Sequence, residues 1–145
     1  MVIGIFGESC TGKSTLAEKI AMRIPSEIIT GKDYLRLAKN ENIAKALFQM
    51  KLIAAVTGEN IIYVIAEKEH LSLLPDGAKR ILVTADLELI KSRFAVRMHG
   101  NLPAPVAAML EKKHGLFDSE PHDIRVISGE TDLEIVVSQI MNEKA

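Results

Sequence analysis

Residues 7–14 read Gly7-Glu8-Ser9-Cys10-Thr11-Gly12-Lys13-Ser14, which has the spacing G-x-x-x-x-G-K-[ST]. This is the signature of a phosphate-binding loop, and it has meaning only between a buried strand and a helix. Both flanks are present. Val2-Ile3-Gly4-Ile5-Phe6 is a short apolar run of strand length. Residues 14–24 carry Leu16, Ile20 and Ile24 at intervals of four, the period of one helix face.

The chemistry of such a loop follows from its residue types. Gly7 and Gly12 reach backbone angles that a side chain would forbid. The amides between them, on Glu8, Ser9, Cys10 and Thr11, can then turn inward as a nest for anionic oxygens. The helix that starts near Lys13 adds unpaired N–H groups and a partial positive charge. Lys13 would reach the β- and γ-phosphates of a nucleotide, and the Ser14 hydroxyl would sit on Mg²⁺. Thr15 offers a second hydroxyl. The loop therefore implies a nucleoside triphosphate with Mg²⁺.

The remaining bounds are ordinary ones. A chain of 145 residues, 48% hydrophobic and 26% charged, suits one globular domain that buries about two-thirds of its unfolded surface. Net charge is −1 with no long basic run, so neither nucleic acid nor an anionic membrane is an expected partner. Cys10 is the one cysteine, so no intrachain disulfide can form. It reads as a small loop side chain or as a redox-responsive thiol near a helix N-terminus, and the first is the expectation. The apolar run at residue 2 leaves no room for a basic leader, and no run has membrane-spanning length, so the chain reads as cytoplasmic. The four histidines, His70, His99, His114 and His122, lack metal-ligand spacing and are expected on the surface or in loops.

Apolar runs at 27–30, 61–66, 79–84 and 123–127 supply four more strands, each followed by a helical pattern. Alternation of this kind predicts an α/β fold with three layers and a five-stranded parallel sheet, the fold of the phosphate-loop nucleoside triphosphate hydrolases. The helix over 43–57 is expected to be capped by Asn42 and to pack through Ala44, Leu47, Met50 or Lys51, and Ala54. Thr131 and Glu134 have the spacing of a capping box for the last helix, with Leu133, Val136 and Ile140 facing inward. Glu67 follows the third strand, where an acid supports Mg²⁺ in many phosphate-loop enzymes or else merely solvates a strand end. Lys32, Asp33 and Arg36 follow the second strand at the sheet edge where ligands bind. Arg93 and Arg97 lie four apart on one helix face, just before a Gly-Pro-rich break at 99–105.

Four pieces of the chain resemble the nucleoside monophosphate kinases, and most of all their cytidylate kinase-like branch. They are residues 3–17, the Thr30-Gly31-Lys32-Asp33-Tyr34-Leu35-Arg36 turn, Leu82-Val83-Thr84-Ala85-Asp86 followed by Arg93 and Arg97, and Ile127-Ser128-Gly129-Glu130-Thr131 with Val136-Val137. Arg36 falls one residue later than that family's spacing, and the third strand ends on Glu67 where an Asp is usual. The resemblance implies transfer of the γ-phosphoryl of ATP to a small acceptor, most readily a nucleoside monophosphate. Shikimate-type kinases share the size and plan. On this reading Lys13, Arg93 and Arg97 are catalytic, residues 93–115 form a lid, and Lys32, Asp33 and Arg36 hold the acceptor. A nucleotide-binding regulatory module with little catalysis is the competing reading. A guanine nucleotide switch fits less well, since no N/T-K-x-D element is present.

Overall fold

In a computed structural model, which describes residues 1–144, the five apolar runs form one sheet. The strands are β1 (Val2–Phe6), β2 (Glu27–Thr30), β3 (Ile61–Ile65), β4 (Lys79–Thr84) and β5 (Ile124–Ile127). They lie in the order β2-β3-β1-β4-β5, and every pairing is parallel. The helices are α1 (Lys13–Arg23), α2 (Glu41–Ala55), α3 (Leu87–Arg97), α4 (Ala104–Lys113) and α5 (Leu133–Lys144). Two 3₁₀ segments, Asp33–Leu37 and Lys68–Leu73, follow β2 and β3.

Strand alternation explains the three layers. Ile3 and Ile5 of β1, Ile62 and Val64 of β3, and Ile81 and Val83 of β4 pack with Leu16 and Ile20 of α1 and with Val137 and Ile140 of α5. Val2, Phe6, Ile61, Tyr63, Ile65 and Leu82 point the other way, onto Phe48 and Leu52 of α2 and onto Leu71 and Phe117. Strands buried on both faces need the near-continuous apolar runs that the sequence contains. A third, smaller cluster joins Ile90 of α3 and Leu110 of α4 to Cys10.

Several expectations change in detail. The cap of α2 is Asn40, not Asn42: its side chain accepts from the Ile43 amide at 3.1 Å. The helix starts two residues earlier than the periodicity suggested, and its core stripe is Ala44, Phe48, Leu52 and Ala55. Leu47 and Met50 face solvent, because a helix with apolar residues on two sides gives two self-consistent stripes and only packing chooses between them. No capping box forms at α5. The Asp132 carboxylate accepts from the Glu134 amide, while the Thr131 hydroxyl accepts from the Ile127 amide. The Glu134 side chain instead meets Lys19 and Arg23 of α1, at 3.7 and 3.3 Å. His70 is not on the surface: it is 4% exposed and lies edge-on to Tyr34.

The corrected stripe is testable. Phe48 stacks on Tyr34 at 5.3 Å and meets Tyr63 edge-on at 4.9 Å. Phe48→Ala should cost about 4 kcal/mol in urea unfolding. Leu47→Ala, 41% exposed, should stay within about 0.5 kcal/mol of the parent chain.

Candidate functional site

The site lies beyond the C-terminal end of β1, which β3 and β4 flank. Ligands of open α/β sheets bind at this edge. The chain turns sharply there. A Cβ on Gly7 would fall well inside contact distance of the Val83 carbonyl oxygen of β4, so only glycine fits. Gly7 donates to the Ile65 carbonyl at 3.3 Å, which fixes the loop to β3 as well. Gly12 adopts the left-handed conformation as the residue preceding α1. Among the described residues, the amides of Ser9, Cys10, Thr11 and Gly12 donate to no protein acceptor. Unspent donors ahead of a helix N-terminus form a site for anionic oxygen.

Lys13 lies in this loop and is 7% exposed. Its ammonium donates to the Glu8 carbonyl at 2.6 Å, which also accepts from the Thr11 hydroxyl at 2.8 Å. Burial pushes its pKa down to about 8, and the Arg97 charge pushes the same way, against the pull of Cys10 and Glu8. The Glu8 carboxylate turns outward, accepting from the Gly115 amide at 3.2 Å and lying 3.1 Å from His114 Nδ1. It therefore ties the phosphate loop to the end of α4. Arg93 of α3 donates to the Cys10 carbonyl at 3.0 Å.

Three cavities run in a row along the sheet edge. The first, about 630 Å³, lies between Arg93, Val96 and Arg97 of α3 and the turn Ser128, Gly129 and Thr131 after β5. The second, about 210 Å³, lies over the loop and is lined by Ser9, Lys13, Ser14, Thr30 and Gly31 among others. Cys10, Gly12, Thr15 and Arg97 line both of these. The third, about 340 Å³, lies between the loop, the end of β3 and α4, and shares Ser9 and Ala66 with the second. Shared walls make the three one cleft.

Of the residues singled out in the sequence, the structure brings Ser9, Cys10, Gly12, Lys13, Ser14, Thr15 and Arg97 to the middle cavity. Thr11 and Arg93 join Arg97 on the wall of the first. Glu8 and Glu67 line the third, so Glu67 is one cavity away from Ser14. Lys32, Asp33 and Arg36 line none of the three. Asp33 accepts from the Thr30 amide, and Arg36 folds back to Glu27, 3.5 Å away at the opposite end of β2. Their neighbours Thr30 and Gly31 reach the cleft instead. Sequence reasoning assigned no site role to Ser128, Gly129 and Thr131, nor to Lys113. A glycine just past the last strand was the available signal for the first group. Nothing in the sequence pairs α4 with a loop about a hundred residues away.

No protein-family model matches the chain, and no curated protein matches it in sequence. Solved structures do match it in shape. It is similar to a shikimate kinase from Acinetobacter baumannii in complex with shikimate (TM-score 0.65, 11% identity, 99% of this chain and 92% of that one). It is also similar to the YorR protein of Bacillus subtilis in complex with phosphorylated GDP (0.63, 21%, 99% and 95%). A gluconokinase from Sinorhizobium meliloti superposes comparably (0.61, 14%, 97% and 89%). The chain has the phosphate-loop α/β fold of these proteins, as expected. The likeness spans nearly its whole length, at identities that speak only for fold.

The depressed Lys13 pKa has a consequence for stability. The unfolded lysine keeps its proton up to about 10.5, whereas the folded one releases it near 8. Between those values the unfolded chain binds more protons, so Lys13 makes stability rise with pH across that window. At pH 7 its buried charge costs on the order of 3 kcal/mol relative to pH 10.5. Burial holds the Tyr63 hydroxyl well above its ordinary range, which works the opposite way near pH 10. The Lys13 contribution is isolated by comparison with Lys13→Met: urea unfolding at pH 7 and pH 10 should show a smaller pH-linked gain in the variant.

Proposed function

We propose that the protein is an ATP-dependent phosphotransferase acting on a small hydroxyl-bearing acceptor. The observation that carries this reading is the row of unspent amides with a buried ammonium beside them, in the middle of a three-part cleft. Amide donors and a lysine suit a triphosphate tail. The first cavity suits the nucleoside, between the α3 arginines and the β5–α5 turn. The third suits the acceptor, since it opens onto the middle cavity at Ser9 and Ala66. That the shape neighbours include proteins named shikimate kinase and gluconokinase supports the same class.

Ser14 offers one fit for Mg²⁺, and the ligand atoms of Glu67, Glu69 and His70 lie within 4.8 Å of one another as a second. The Ser14 hydroxyl, exposed in the middle cavity at the start of α1, would hold the ion, which when bound neutralises phosphate charge. In the transfer step the acceptor oxygen bonds to the γ-phosphorus as the bond to the β,γ-bridging oxygen breaks. The electron pair leaves with ADP. The acceptor's proton passes to Glu67, which lines the third cavity and so suits this role better than direct ligation of the ion. Lys13 and Arg97 stabilise the charge that spreads over the moving group. Residues 93–115 comprise the end of α3, a connection with His99 and Gly100 in left-handed conformations, and α4. Swinging of this pair would close the cleft against water.

The resemblance in sequence favoured a nucleoside monophosphate as acceptor, and the nucleotide complex of the YorR protein supports that choice. Against it stands Arg36, whose side chain is engaged by Glu27 away from the cleft. A small metabolite is the better-supported acceptor.

Lys13→Ala should lower ADP release with acceptor by about 10³-fold without lowering the urea midpoint at pH 7. Unchanged turnover would remove the proposal. Arg97→Ala should cut kcat by about 10²-fold and leave the KM for ATP within a few-fold, as expected of a contact made in the transition state.

A further inference from the structure

The third cavity carries more information than its position, because its walls state which acceptors they can hold. It is lined by Glu8, Ser9, Ala66, Glu67, Lys68 and Glu69 on the sheet side, and by Met109, Leu110, Lys113, Leu116 and Phe117 on the α4 side. Two of its five ionisable side chains are already committed. The Glu8 carboxylate is held by His114 and the Gly115 amide, and the Lys68 ammonium lies 3.2 Å from Glu120. Glu67 and Glu69 remain exposed at the mouth. Glu67 has no ion-pair partner among the described residues, and Glu69 has only His70, at 3.8 Å. Lys113 is the single cation left to face them.

Acceptors that carry a phosphate or carboxylate need a cationic grip, best supplied by a guanidinium fork. No arginine lines this cavity. Of the cleft arginines, Arg93 lines the first cavity, and Arg97 lines the first and the middle ones. An anion placed between Glu67 and Glu69 would meet like charges on two sides, with one flexible lysine to offset them. Hydroxyl and ammonium groups meet the opposite situation: both carboxylates accept from them, and charge assistance strengthens each bond. Leu110 and Phe117, both buried, offer an apolar floor of the kind that takes the C–H face of a ring.

We infer that the acceptor is a polyhydroxylated amine such as an amino sugar, held by Glu67 and Glu69 over the floor formed by Leu110 and Phe117. This rests on the phosphotransferase reading and deepens it. The chemistry is the transfer already written: an acceptor hydroxyl gains the phosphoryl group, its proton goes to Glu67, and ADP departs. Discrimination comes from the ammonium, which Glu69 faces.

The test uses the full-length protein in two steps. Calorimetry with Mg²⁺ and ATP alone asks whether nucleotide binds; absence of binding overturns the parent reading and the inference with it. If ATP binds, ADP release is then measured with glucosamine, glucose, gluconate, shikimate and CMP as probes. The inference expects glucosamine to give the highest kcat/KM, with at least about a tenfold lead over gluconate, shikimate and CMP. Glu69→Gln should erase most of that lead by raising the glucosamine KM, and Lys113→Ala should lower that KM by removing an opposing charge. A preference for gluconate, shikimate or CMP, with a KM that Lys113→Ala raises, would overturn the inference and leave the phosphotransferase reading standing. ATP binding with no stimulation by any of the five would likewise overturn it.

Discussion

Everything in the cleft depends on how closely β1 turns against β4. The loop can leave the strand as it does because Gly7 carries no Cβ to strike the Val83 carbonyl. From that turn the amides of Ser9 to Gly12 are left without protein acceptors, and Lys13 is drawn under the loop, where its ammonium meets the Glu8 carbonyl. Burying an ammonium without an anion is unfavourable, and the depressed pKa of Lys13 is the measure of that cost. The chain therefore holds a site that is electrostatically unfinished. A bound anion would complete it, by accepting from the amides and by giving the lysine a counter-charge. Local arrangement achieves this in a protein whose net charge is −1.

The loop is also the hub to which α3 and α4 are moored. Arg93 holds the Cys10 carbonyl, and Glu8 holds the end of α4. Cys10 itself packs against Ile90 and Leu110, so the side chain that fills the left-handed position at φ 61 is also a core residue of the α3–α4 pair. The thiol is buried among these apolar neighbours. These contacts reach the loop from two helices at once.

Legibility in the sequence tracked the range of the interactions. The strands, their parallel direction and the loop were readable because each depends on local apolar runs, on alternation with helices and on glycine spacing. So were the α3 arginines, whose separation of four sets them on one side of a helix. The face of α2 was not readable, since Ala44-Phe48-Leu52 and Ala44-Leu47-Met50 both satisfy helical periodicity and only the sheet decides. The fate of Arg36 was hidden for a related reason: its partner Glu27 is near in sequence, but the direction of the side chain depends on how the 3₁₀ segment packs on α2. Asp33 likewise spends its carboxylate on the Thr30 amide, a local bond that competes with any role in binding. The far wall of the cleft comes from Lys113, Leu116 and Phe117, and nothing near the phosphate loop in sequence announces them.

The middle of the cleft and its α4 side therefore differ in kind. At the loop, the groups that face the ligand are main-chain amides and a lysine fixed by the backbone, so this part is nearly independent of which other side chains the fold carries. On the α4 side, the exposed Glu67, Glu69 and Lys113 rim a floor that includes the buried Leu110 and Phe117. Lys13 and Arg97 make the middle of the cleft positive, while Glu67 and Glu69 make the α4 mouth negative. A field of that sense favours anionic groups at the loop and donor-rich groups at the α4 mouth. An acceptor with its own negative charge would oppose that field at the mouth and compete with the nucleotide for the middle. The sign of the rim, more than the volume behind it, is thus what separates one acceptor class from another on this scaffold.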